Sequence, residues 1–197
     1  MFRIERAGLA DMAGIYRVCR LTGDVGGDAS RLYPDPDLCG HVWAGAYVAH
    51  PGGTQLVVVD DAGIAGYVIS TDDTLAFDAW AAEHWWPPLR ARYPRLDDGT
   101  PSADLVLRMY EPEVRDPDIV AAYPAHFHID LLERTRGSGL GRQLLEQLYA
   151  QLRTRAIPGV HMGVDERNAN AISFYEHLGF ETLGHGAGDV TMGLLLG

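Results

Sequence analysis

The sequence predicts an α/β fold: a parallel or mixed sheet with helices on its faces, in one domain spanning residues 1–197. Three observations predict it. The last third of the chain alternates strand-like and helix-like runs, an order that places strands in a parallel or mixed sheet. A glycine-rich loop stands between one of those strands and an amphipathic helix. The 197 residues, 47% of them hydrophobic and 22% charged, suffice for one buried core without a disulfide or metal staple.

The elements follow in chain order. Phe2 to Arg6 alternates apolar and charged residues, as a short first strand does. Leu9, Met12, Ile15, Tyr16 and Cys19 recur at helical spacing over Leu9 to Leu21. Thr22 to Asp28 is a turn-rich loop, and Pro36 to Ala49 is expected as a second helix. Two β-rich runs, Gln55 to Asp60 and Ile64 to Thr71, flank Asp61-Ala62-Gly63, a hairpin signal.

The next fifty residues differ from their surroundings. Thr74 to Arg92 is aromatic and helix-like, with Trp80, Trp85 and Trp86, and Pro94 to Pro124 is rich in Pro, Asp and Arg. Residues 74–124 are therefore expected as a helical insertion in the one domain, too short to hold a core alone. The tryptophans suit an apolar lid, an oligomer contact (a homodimer being the simplest) or packing of the insertion onto the sheet. Packing is the preferred reading.

The last third is the most legible. Ala125 to Leu132 reads as a strand with Phe127, Ile129 and Leu131 on one face and His126, His128 and Asp130 on the other. Leu140, Leu144, Leu145, Leu148 and Leu152 form a helical stripe. Val160 to Val164 is a strand and Ala169 to Leu178 a helix. Phe180 to Leu183 and Val190 to Leu196 are two more strands.

Composition narrows the functional classes. The net charge is −11, the wrong sign for non-specific binding to nucleic acid or an anionic membrane. No apolar run approaches the roughly 20 residues of a membrane span. Cys19 and Cys39, without CxxC spacing, read as reduced thiols of a cytoplasmic protein.

The loop Arg136-Gly137-Ser138-Gly139-Leu140-Gly141 carries the chemistry. Its glycines remove the Cβ atoms that keep an anion from the backbone. The helix that follows contributes N–H groups without intrahelical partners and the positive end of its dipole. Glu133 to Arg142 holds Arg134, Arg136 and Arg142 against one Glu, a local excess of positive charge in an acidic chain. No GK[ST] follows, so it is not a Walker A loop. It stands too late, after a polar-faced strand, for a dinucleotide fingerprint.

This loop matches R-x-x-G-x-G, and Asn168 to Tyr175 followed by Gly179-Phe180 matches N-x₆-Y-x₃-G-F. With both motifs the chain resembles the GNAT acetyltransferase superfamily. Tyr123 to Leu132, Gly159 to Val164 and the tryptophan-rich stretch are similar to bacterial relatives of the C-terminal acetyltransferase-like domain of O-GlcNAcases.

The resemblance implies a mixed, mostly antiparallel sheet of about seven strands, and direct transfer of acetyl from acetyl-CoA to a small-molecule or peptide amine. It implies that backbone N–H groups of Gly137, Gly139, Leu140 and Gly141 hold the pyrophosphate, with Arg136, Ser138 and Arg142 beside them. The N–H of Leu131 or Leu132 would polarise the thioester carbonyl. Tyr175 would serve the leaving thiolate, and Asn168 would pair with backbone or cofactor. A free lysine has a pKa of about 10.4, so only about one in 2,500 is deprotonated at pH 7 and a base matters. Asp130 and His128 are the candidates.

Other readings stay open at this stage. Tyr175 is also a fit for a core aromatic, and Asp130 for an arginine's partner. His126, His128 and Asp130 form an H-x-H-x-D set that His161 could join around a metal, but the acetyltransferase motifs explain the same face more fully and no metal is assigned. The chain could also be a pseudo-acetyltransferase, binding CoA or a protein partner without turnover.

Overall fold

Seven strands form one sheet: β1 (Arg3–Arg6), β2 (Gln55–Asp60), β3 (Gly63–Thr71), β4 (Ala125–Leu131), β5 (Gly159–Asp165), β6 (Glu181–Gly186) and β7 (Asp189–Leu195). Their spatial order is β1-β2-β3-β4-β5-β7-β6, and every neighbouring pair is antiparallel except β4 with β5. The coordinates are a computed structural model and describe residues 1–111, 113–186 and 188–197. Among them no helix is long and apolar enough to cross a membrane.

The parallel pair is short, and that shapes the centre of the molecule. β4 pairs with β5 only at Ala125 with Val160 and His126 with His161. Beyond those residues β4 stays on β3 as far as Leu131 opposite Gly66, while β5 stays on β7 as far as Asp165 opposite Asp189. The sheet therefore splits between its two central strands.

Period-2 alternation divides the side chains between two layers. Phe127 of β4 and Val160, Met162 and Val164 of β5 pack beneath α8 (Leu140–Thr154) and α9 (Ala169–His177). The expected stripe Leu140, Leu144, Leu145, Leu148 and Leu152 is the buried face of α8. On the other side Val57, Tyr67 and Ile69 meet α1 (Met12–Thr22), α2 (Leu38–Trp43) and α3 (Gly45–Ala49). The single helix expected over Pro36–Ala49 is thus two. Ala44 leaves helical dihedrals (φ −128°, ψ −42°), and Gly45 comes so close to a neighbour that a Cβ there would lie 2.5 Å from the Trp85 ring.

Residues 74–124 carry α4 (Thr74–Trp80), one π-helical turn (Ala81–Trp85), α5 (Trp86–Arg92), α6 (Pro101–Leu107) and α7 (Pro117–Ala122). Phe77, Leu89, Leu105, Val106 and Met109 from this segment share one apolar cluster with Ile15, Tyr47 and Tyr67. Trp85 donates its indole N–H to the His41 carbonyl (2.9 Å). The tryptophan is a packing residue here, holding the segment to α2 and α3.

Candidate functional site

The glycine loop enters α8 through a left-handed residue. Gly139 (φ 73°) is the residue before the helix and Gly137 (φ 74°) is likewise left-handed, conformations that cost an L side chain about 1–2 kcal/mol. A Cβ on Gly137 would meet nothing, and one on Gly139 only the Gln143 amide at 3.8 Å, so the space above the loop is open. Gly141 is different: its Cβ would stand 3.2 Å from Leu131, where the helix start abuts the end of β4.

Hydrogen-bond accounting separates the loop's residues. The N–H groups of Gly137, Gly139, Gly141 and Arg142 have no protein acceptor among the described residues. Those of Arg136 and Ser138 donate to the Glu133 and Thr135 carbonyls (2.9 and 3.2 Å). The Ser138 hydroxyl donates to the Thr135 carbonyl and receives the Leu140 N–H at 3.4 Å. Ser138 therefore shapes the loop, and four open N–H groups remain at the positive end of a 15-residue helix. Arg134 is tied to Asp60 (2.7 Å), which lowers the expected local charge excess; Arg136, exposed beside the loop, pairs with Glu133 (3.5 Å), and Arg142 is likewise exposed.

The split in the sheet presents a second set of donors. The Leu132 N–H donates to the Ala65 carbonyl (2.8 Å) and so belongs to the ladder with β3. Alternation along an antiparallel strand then turns the peptide groups of Ile129 and Leu131 away from β3, into the gap where β5 has diverged. Of the two residues proposed for polarising a carbonyl, Leu131 faces the gap and Leu132 does not.

On the α1–α3 face stand the polar side chains of β4. Asp130, directly across from Tyr67 on β3, accepts the Tyr67 hydroxyl. Burial pushes the Asp130 carboxyl up to about 6, opposed by the Tyr67 hydrogen bond. His128 lies within 3.1 Å of the Tyr47 hydroxyl, and its ring is 6.0 Å from that of Trp43. Burial, with the Arg115 cation nearby, pulls His128 down to about 4. Both ring nitrogens of His126 are hydrogen-bonded, to Thr74 and Tyr47, and His161 Nδ1 is 2.7 Å from the Tyr123 carbonyl. The H-x-H-x-D set thus has no lone pair on His126 to offer a metal.

Tyr175 occupies the opposite layer. Its ring is 5% exposed, packed edge-on against Phe127, Phe174 and Phe180. Its hydroxyl makes no hydrogen bond among the described residues. Burial first, and the Asp130 charge second, hold its pKa above the ordinary phenol value. Asn168 caps α9, its side-chain oxygen accepting the Ala171 N–H at 3.1 Å, and so orients the helix that carries Tyr175. That places Asn168 as a backbone partner.

Two residues at this face were not identified from the sequence: Tyr47 and Tyr67. Both lie in apolar runs that carry no motif. The available signal was the need of buried His126, His128 and Asp130 for partners.

The chain matches the acetyltransferase (GNAT) family over residues 27–180. It is 31% identical to SsHAT, whose crystal structure it matches with a TM-score of 0.87, covering 100% of this chain and 98% of that one. A GCN5-related N-acetyltransferase from Kribbella flavida shares the fold at 16% identity, with a TM-score of 0.56 and coverage of 98% and 97%. Protein O-GlcNAcase of Rattus norvegicus is 24% identical over 173 residues, 86% of this chain but 19% of the relative. The chain thus spans about a fifth of that protein's length. The 5-NmdU N-acetyltransferase of Pseudomonas phage PaMx11 is 32% identical over 76 residues, 39% of this chain and 49% of its own.

Proposed function

The chain belongs to the GNAT acetyltransferase family, and from that premise we propose that it transfers the acetyl group of acetyl-CoA to an amine carried by a small molecule or a peptide. The observation that carries the reading is the alignment of two donor sets: the open N–H groups at the start of α8 and the peptide edge of β4 that turns into the gap beside them. Bound acetyl-CoA supplies an activated acyl thioester. The residues fit it, because the loop has no Cβ in the way and leaves four backbone donors for a pyrophosphate. The similarity to the phage 5-NmdU N-acetyltransferase supports an amine acceptor.

The chain's own groups then divide the work. Gly137, Gly139, Gly141 and Arg142 hold the anion through backbone N–H, with Arg136 as a nearby cation. Leu131 N–H donates to a carbonyl oxygen placed in the gap. Tyr175 offers a proton at Oη, which no group among the described residues claims. The amine approaches from the α1–α3 face, where Asp130 is mostly ionised at pH 7. Its charge draws an ammonium, and its pKa lies nearer the operating pH than that of His128, favouring it as first proton acceptor.

Calorimetric titration with acetyl-CoA and with CoA tests the cofactor reading. Stoichiometric micromolar binding is expected, lost in Gly139→Glu, and acetyl transfer to an amine panel should follow. Binding without transfer would identify a pseudo-acetyltransferase, and absence of binding would sink the reading altogether.

A further inference from the structure

A hydrogen-bonded chain runs from the Pro124 carbonyl to His128, and each of its protons can be assigned. Thr74 Oγ1 is 2.7 Å from the Pro124 carbonyl, which can only accept, so the hydroxyl hydrogen lies there. Thr74 Oγ1 is also 2.8 Å from His126 Nδ1 and must therefore accept from it. His126 is buried among Tyr47, Phe77 and His161, and burial together with the Arg115 cation keeps it neutral. With hydrogen on Nδ1, its Nε2 is a bare acceptor and receives the Tyr47 hydroxyl at 2.5 Å. Tyr47 has then placed its only hydrogen, so the contact of 3.1 Å to His128 is a donation from His128 Nε2–H.

We infer that Thr74, His126 and Tyr47 form a positioning relay that fixes the tautomer of His128, with hydrogen on Nε2 and the lone pair on Nδ1. His128 Nδ1 makes no hydrogen bond among the described residues. It is the atom left on His128 to accept a hydrogen bond from the acceptor amine, a consequence that rests on the proposed acetyl transfer. The tautomers themselves do not depend on it. The relay also requires His126 to hold the Nδ1–H form, the minor one for a neutral histidine side chain in water. Thr74 touches no reacting group, yet it decides which nitrogen of His128 is free.

The test is ¹⁵N-resolved NMR of the histidine rings in the full chain at neutral pH, with acetyl transfer assayed in parallel. The wild type should show His126 as Nδ1–H and His128 as Nε2–H. Thr74→Val removes the acceptor, so His126 should revert to Nε2–H. Tyr47 then accepts from it and turns its hydrogen to His128 Nε2, which inverts His128 to Nδ1–H. Thr74→Ser should restore both. Tyr47→Phe should leave His126 unchanged and populate both forms of His128. Thr74→Val should also lower kcat about tenfold or more with acetyl-CoA affinity unchanged. His126 as Nε2–H in the wild type, or His128 indifferent to Thr74→Val, would overturn the relay even if Tyr47→Phe fails to fold. A chain that does not bind acetyl-CoA but shows the tautomer pattern would retain the relay and lose the proposed function.

Discussion

Tyr67 hands its hydroxyl hydrogen to Asp130 straight across the β3–β4 ladder, and that bond anchors the only carboxylate on the α1–α3 face of β4. The carboxylate is held where ionisation is costly. Its pKa, up to about 6, exceeds the ordinary value of 3.8, so the folded state binds more protons than the unfolded state between those values. Stability contributed by the protonated form is complete below about 4 and declines as pH rises through about 6.

Asp130→Asn should therefore stabilise the fold at pH 7 by about 2 kcal/mol, a shift of roughly two pKa units converted at about 1.4 kcal/mol each and rounded down for partial exposure. The gain should vanish at pH 4, where the wild-type carboxyl is already protonated. Urea melts at the two pH values read this directly. Acetyl transfer should fall about 100-fold over the same substitution.

Gly139 separates conformational cost from ligand contact. Gly139→Ala places a Cβ on a left-handed residue with open space around it, so a stability loss of about 1–2 kcal/mol is expected. Gly139→Glu adds a negative charge facing the anion and should abolish acetyl-CoA binding by calorimetry. An alanine variant that binds as tightly as wild type, alongside a glutamate variant that does not, would assign the role of the glycine to charge and bulk.

Two tyrosines with unpartnered hydroxyls should behave oppositely. Tyr149 Oη is sealed in the core without a hydrogen bond among the described residues, so Tyr149→Phe should raise stability by about 1 kcal/mol and leave turnover alone. Tyr175→Phe should barely change the melt or acetyl-CoA affinity yet reduce kcat. Equal kcat in the wild type and Tyr175→Phe across pH would reduce Tyr175 to a packing residue.

Trp85 distinguishes a packing role from a lid. Its indole fills the space against Gly45 and bonds the His41 carbonyl, so Trp85→Ala should cost about 3 kcal/mol in a thermal or urea melt. A lid residue would instead alter KM for the amine at little cost in stability.

What could be read in the sequence was local. The leucine stripe of α8, the alternation of β4 and the glycine spacing of 136–141 all express backbone periodicity or conformational preference within a few residues. The placement of Asp130 and His128 together on one face followed from the same alternation. The break at Ala44 was hidden, because the residue that crowds Gly45 beside it, Trp85, lies far along the chain. So was the divergence of β5 from β4, since a register is set by partners that lie far apart in sequence. Leu131 and Leu132 looked equivalent until the Ala65 carbonyl claimed one of them. Ser138, expected beside the pyrophosphate, bonds the backbone of its own loop, and Asn168, expected to pair with backbone or cofactor, caps α9.

The short seam between β4 and β5 also bears on how the molecule comes apart. Two residue pairs join the block formed by β1 to β4 to the block formed by β5 to β7. Most cohesion between those blocks must come from α8 and α9, which pack across both. Such a seam is where a fold opens below its global unfolding free energy. Amide exchange should then reveal two protected cores, with Ile129 and Leu131 exchanging early despite their central position. A ligand whose own amides bridged the gap would fuse the two cooperative units into one.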